Sequence, residues 1–174
     1  LQTVQEFPTF AGTHAFEFLG KMLGVHLIDL TGAKQSGVMH GPGMEISVTI
    51  EQGKEPIAVM KLKGEINASN FMEVVDKAQE LHNNPARNLI IDLGEVPSIS
   101  STGQVAIHKV ALIYSGVPQS VEADENPDFT HSAHARKHVK LLNPQPGVDE
   151  ALTKAGMKLF FKVFKDLESA LKSF

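Results

Sequence analysis

The sequence contains no cysteine. This removes both a disulfide framework and thiolate metal ligation, and it agrees with a reducing compartment, so the cytoplasm is the expected location. There is no basic excess either: 16 Lys and Arg stand against 20 Asp and Glu, a formal net charge of −4. That balance leaves no broad cationic surface for a phosphate backbone, and nucleic acid is not an expected ligand. No uncharged apolar run approaches the roughly 20 residues that cross a bilayer, and no basic region followed by an apolar segment opens the chain, so direct membrane insertion is not expected. A Walker loop, a Gly-rich dinucleotide turn, a Gly-x-Ser-x-Gly elbow and a tandem repeat are all missing, and no cofactor is expected. The chain starts at Leu1 rather than methionine, as a piece of a longer protein would, including one with membrane spans.

What is present is 42% hydrophobic residues in 174, enough for one core and too few for two full-sized domains. Residues 1–43 read as an N-terminal extension. Within Phe7 to Leu30, Ala15, Phe18, Leu19, Met22 and Leu23 fall near helical spacing, with Thr13 as a candidate N-cap. Val25 to Leu30 either extends that helix or forms a short strand. The apolar face, which also carries Phe16, packs on the domain, on a second copy to give a homodimer, or on a foreign partner. Thr31 to Gly43 holds Gly32, Gly37, Gly41 and Gly43 and hardly any large apolar residue, the composition of a flexible connection.

From Met44 the pattern is that of an α/β domain. Ile46, Val48 and Ile50 alternate with polar residues as in a half-exposed strand, and Ile57 to Leu62 is its hairpin partner, ending at Gly64. Positions 71, 74, 75, 78 and 81 have helical spacing, stopped at Asn83-Asn84-Pro85. Leu89 to Leu93 is apolar on both faces, as a central strand requires, and Thr102 to Tyr114 is a deeply packed helix. A strand at Val139 to Leu142, a helix at Val148 to Ala155 ended by Gly156, a strand at Leu159 to Val163 and a last helix capped by Asp166 complete the chain. The expected fold is therefore a mostly parallel four- to five-stranded sheet with one antiparallel edge strand, about four helices, and an insertion at about 116–137.

Three segments resemble the STAS domain of anti-sigma factor antagonists. Lys61-Leu62-Lys63-Gly64-Glu65-Ile66-Asn67 is similar to the end of its second strand. Leu89 to Gly103, with Asp92 and Pro97-Ser98-Ile99-Ser100-Ser101-Thr102-Gly103, is similar to its central strand and phosphorylation loop. Asn143 to Phe174, with Val148-Asp149-Glu150-Ala151-Leu152 and Asp166-Leu167-Glu168-Ser169-Ala170-Leu171, is similar to its C-terminal part. Two positions depart from the family pattern: Ser100 and Asn67 stand where an aspartate is usual.

The resemblance implies a binding protein and not an enzyme. It implies Ser101 as the phosphorylated residue, with Thr102 and Ser100 as alternatives, and a partner surface of Gly64, Glu65, Asn67, Asp92, Ser100, Ser101, Thr102 and Gly103. The implied partner is an anti-sigma factor, often itself a serine protein kinase, captured by the unmodified form and released on phosphorylation. A regulatory or scaffolding module of a larger sensor, a stressosome-like assembly or an anion transporter is the alternative. Read without the resemblance, the three hydroxyls are helix-capping residues and Asp92 binds loop amides. A hydrolytic set of Ser101, His108 and Asp92 is disfavoured because His108 lies within the helix that the serine starts. His131, His134 and His138, with Asp128, have ligand-like spacing in a polar insertion, but solvated histidines are the expectation and no metal is assigned.

Overall fold

In a computed structural model of the chain, residues 37–41, 43–53, 55–84, 86–116 and 132–174 are described. The N-terminal helix expected within Phe7 to Leu30, together with His131 and Asp128 of the insertion, lies outside them. Strand β2 (Met44–Gln52) buries Met44, Ile46 and Val48 and leaves the residues between them partly exposed, so the period of two in the sequence becomes a one-sided strand. It pairs antiparallel with β3 (Pro56–Gly64), from Gln52 opposite Pro56 to Met44 opposite Gly64. Ahead of them, β1 (Gly37–Gly41) pairs antiparallel with β2. That strand falls in the stretch whose composition reads as a connection. It extends the sheet by backbone pairing with β2, which a sequence pattern of apolar residues does not announce.

Every later connection is a parallel crossover. α1 (Phe71–Asn83) links β3 to β4 (Asn88–Glu95). α2 (Ser101–Ser115) and α3 (Ser132–His138) precede β5 (Val139–Leu142). α4 (Pro146–Lys154) and a 3₁₀ turn at Met157–Leu159 precede β6 (Lys162–Phe164), and α5 (Leu167–Leu171) follows. The sheet order is β1-β2-β3-β4-β5-β6, the mostly parallel α/β sheet expected. α3 occupies the end of the insertion. The last strand is shorter than its apolar run, because Gly156 in the left-handed region (φ 71°) turns the chain into the 3₁₀ segment and puts Leu159 at 54% exposure.

The core lies mainly on one face, where Leu89, Ile91 and Leu93 of β4 meet Val74 and Ala78 of α1, Ile107 and Val110 of α2, and Leu152 of α4. The opposite face carries a smaller cluster in which Ile57, Val59, Ile90 and Leu142 are covered by Ala170 of α5. Alternation along β4 thus assigns even-numbered positions to the α5 face.

Lys140, in the middle of β5, is buried. Its Nζ donates to the carbonyl oxygens of Arg136 (2.6 Å) and Lys137 (2.9 Å), the last turn of α3, and stands 4.6 Å from the centre of the Phe174 ring. Burial first, then the charges of Lys162 and Arg136, push its pKa down from 10.5 to about 8. The folded chain therefore releases this proton before the unfolded chain does. Between pH 8 and 10.5 the unfolded state holds more protons, and this group's contribution to stability rises with pH, by at most about 1.4 kcal/mol per unit. Urea unfolding between pH 7.5 and 9.5 is expected to show the wild type gaining on Lys140→Met as pH rises; a constant difference between the two contradicts this assignment.

Candidate functional site

The carboxyl edge of the sheet gathers most of the residues singled out in the sequence. Past β3, the chain turns at Gly64, whose φ of +103° suits glycine alone and whose missing Cβ makes room for the Gly43 carbonyl oxygen. Ile66 then forms a parallel bridge with Ile99. Its N–H donates to the Ser98 carbonyl (3.2 Å), and its carbonyl accepts from the Ser100 N–H (2.9 Å). Glu65 accepts a hydrogen bond from the Ser98 hydroxyl at 2.7 Å. The Gly64 to Asn67 turn and the serine loop are thus one fixed unit.

Within that unit Ser100 is the N-cap of α2. Its backbone is extended, and its hydroxyl oxygen accepts from the Gly103 N–H at 3.1 Å. Ser101 is the first residue of the helix and is exposed, whereas Thr102 is half-buried. Of the three hydroxyls, it is that of Ser100 that makes the cap bond. Gly103 is buried against the turn: a Cβ there would sit 2.5 Å from the Ile66 carbonyl oxygen and 2.8 Å from the Ile99 side chain. The first turn of α2 carries no acidic residue, so the positive end of its dipole is not neutralised from within the helix. Ser100→Ala is expected to lower stability by about 1 kcal/mol through loss of the cap. Ser101→Ala is expected to stay within about 0.5 kcal/mol of wild type. Paired urea titrations read the difference, and equal losses would contradict this division of roles.

Both residues that depart from the family pattern accept local hydrogen bonds. Ser100 provides a cap oxygen without a charge. Asn67 uses Oδ1 to accept from the Ser69 N–H (2.9 Å) and hydroxyl (2.6 Å), closing the turn into α1. Asn70, not singled out in the sequence, completes this corner although only 1% exposed: Oδ1 accepts from the Asn67 N–H and Nδ2 donates to the Glu65 carbonyl, each at 2.9 Å.

Asp92 is not part of this unit. It lies on the α5 face of β4, beside Lys61 in register, and its Oδ1 accepts from the Gly94 N–H at 2.9 Å. Gln145 holds the other side of that turn by donating to the Gly94 carbonyl at 3.0 Å. Nearby, Lys61 and Glu95 form an ion pair (2.5 Å) that raises the lysine pKa and lowers that of the glutamate, chiefly through their shared hydrogen bond. His108 lies seven residues beyond Ser101, about 10 Å along the helix, and its ring meets Phe160 edge-on at 5.0 Å. Ser101, His108 and Asp92 are therefore not assembled for nucleophilic catalysis. Among the described residues no group of three His, Asp or Glu side chains is placed to hold a metal ion. His134 and His138 stack at 5.9 Å, and His138 Nδ1 is 3.0 Å from Asn88 Oδ1. Among the described residues no helix is long and apolar enough to cross a membrane.

Comparison with solved structures places this architecture. An anti-sigma factor antagonist from Mycobacterium paratuberculosis superposes with a TM-score of 0.52 at 16% identity, over 74% of this chain and 92% of the other. The anti-sigma factor antagonist SpoIIAA in its unphosphorylated form superposes with a TM-score of 0.51 at 15% identity, over 72% and 93%. The chain has the STAS fold. No family model matches the sequence, and no curated protein matches it either. At such low identity the likeness establishes the fold alone; within the STAS fold, the serine loop occupies the carboxyl edge of the central strand, where ligands of open α/β sheets commonly bind.

Proposed function

We propose that this STAS-fold chain is an anti-sigma factor antagonist: its unmodified form captures an anti-sigma factor that is also a serine kinase, and phosphorylation of Ser101 releases it. The observation that carries this reading is the position of Ser101. It is exposed at the start of α2, its neighbour Ser100 supplies the cap, and the loop is fixed by the Ile66 bridge. A phosphate there lies at a helix N-terminus free of first-turn carboxylates, so the fold tolerates it. What it alters is the surface. About −1.5 to −2 added charges in a patch that must lose water against a partner weaken that contact.

The partner surface comprises the Ser101 loop with Thr102 and Gly103 at the start of α2, and the Gly64 to Asn67 turn. Val105, 40% exposed one turn after Ser101, offers an apolar anchor. Asp92, at the carboxyl end of β4, fixes the Gly94 turn beside this surface and belongs to the proposed partner surface at its margin. The chain itself performs no chemistry, and the proposed setting is the cytoplasm. Affinity capture from the native cells, with Ser101→Ala and Ser101→Asp as baits, tests this. The alanine bait is expected to recover a kinase-type anti-sigma factor at least tenfold better than the aspartate bait. Equal recovery by both baits, or recovery only of larger assemblies of this chain, would favour the scaffolding alternative.

A further inference from the structure

The opposite edge of the sheet, where the parallel strands begin, holds a cleft of about 1030 Å³ between the β2–β3 turn, the end of α3 and residues 171–174. Arg136, Lys137, Lys140, Lys162 and Lys172 line it, five of the chain's 16 Lys and Arg, and among the described residues that line it only Glu55 has a carboxylate side chain. A chain of net charge −4 thus concentrates positive charge at one concave place. The average composition conceals this. Three of the five cations have partners: Lys172 pairs with Glu168 (2.6 Å), Arg136 donates to the Lys158 carbonyl (2.9 Å), and Lys140 is the buried ammonium already described. Lys137 and Lys162 are exposed and form no ion pair among the described residues. Lys162 and Arg136 both act on Lys140 as like charges, an arrangement that an anion in the cleft relieves. Ile57, Leu171 and Phe174 give the cleft an apolar side, and Gln52, Asn88, His138 and Ser173 add polar side chains to its lining.

We infer that this cleft is a binding site for a small organic anion, a phosphate monoester with an aromatic or aliphatic body, recognised by Lys137 and Lys162 at its charged end and by Phe174 and Leu171 along its body. The volume suits a small molecule. The site lies at the other end of the sheet from Ser101, so its ligand is a second input to the domain, independent of the serine loop.

The test is calorimetric titration of the full chain at low salt with three probes: 1-naphthyl phosphate, inorganic pyrophosphate and neutral 1-naphthol. Naphthyl phosphate is expected to bind most tightly and to weaken as salt is raised. Lys137→Glu with Lys162→Glu, both exposed and removable without disturbing the core, should weaken it at least tenfold. Ser101→Asp should leave it unchanged, which separates this site from the proposed switch. Undetectable binding of naphthyl phosphate, binding insensitive to the double reversal, or binding no tighter than that of neutral 1-naphthol would overturn the inference.

Discussion

Gly64→Ala is expected to destabilise the protein by about 3 kcal/mol or more, the largest effect of any single methyl group added near the site. Two penalties combine. The backbone at φ +103° is one that side chains rarely adopt, a strain of about 1–3 kcal/mol. The added Cβ would also collide with the Gly43 carbonyl oxygen and press on the Met44 Cα at 3.3 Å, and overpacking against backbone adds about 1–3 kcal/mol. Neither neighbour is a flexible side-chain tip. Because Gly64 pairs with Met44 at the end of the hairpin, relief requires opening that end and moving Glu65. Urea unfolding measures the loss, and a change below about 1 kcal/mol would contradict the role assigned to this turn.

Gly103→Ala is expected to lose about 2–3 kcal/mol for a different reason. The backbone conformation there is ordinary, and alanine is the better helix former by about 1 kcal/mol. The loss arises from contact, since the methyl would sit 2.5 Å from the Ile66 carbonyl oxygen and 3.0 Å from its carbon. Moving them breaks the Ser100 N–H to Ile66 hydrogen bond, worth about 1 kcal/mol net. Gly147→Ala is the matched control: it lies in α4 with nothing within 4 Å of the added methyl, so it should be neutral or stabilising by up to about 1 kcal/mol. Similar losses at Gly103 and Gly147 would show that the close approach to Ile66 has been misjudged.

These two glycines also mark how far the sequence could be read. The strands and helices announced themselves through period: Met44, Ile46 and Val48 in β2, or Val74, Val75, Ala78 and Leu81 in α1, are buried as their spacing requires. The serine loop was legible because its motif is local. What period and motif could not supply was pairing across the chain. Nothing near Ile66 indicates that it bridges to Ile99, and nothing near Asn70 indicates that a buried asparagine will tie Glu65 to Asn67. The same holds for β1, which rests on backbone pairing, and for Lys140, whose place within an apolar strand makes sense only once the end of α3 arrives to accept its protons. The side of the sheet taken by Asp92 follows from alternation, yet which helix covers that side is a tertiary fact.

The central claim is that Ser101 is the switch, and peptide-resolved mass spectrometry of the protein isolated from its native cells tests it most directly. The account predicts a phosphate on Ser101 in a fraction of molecules, a fraction that changes with growth condition. A loop that stays unmodified at Ser100, Ser101 and Thr102 under every condition would contradict it.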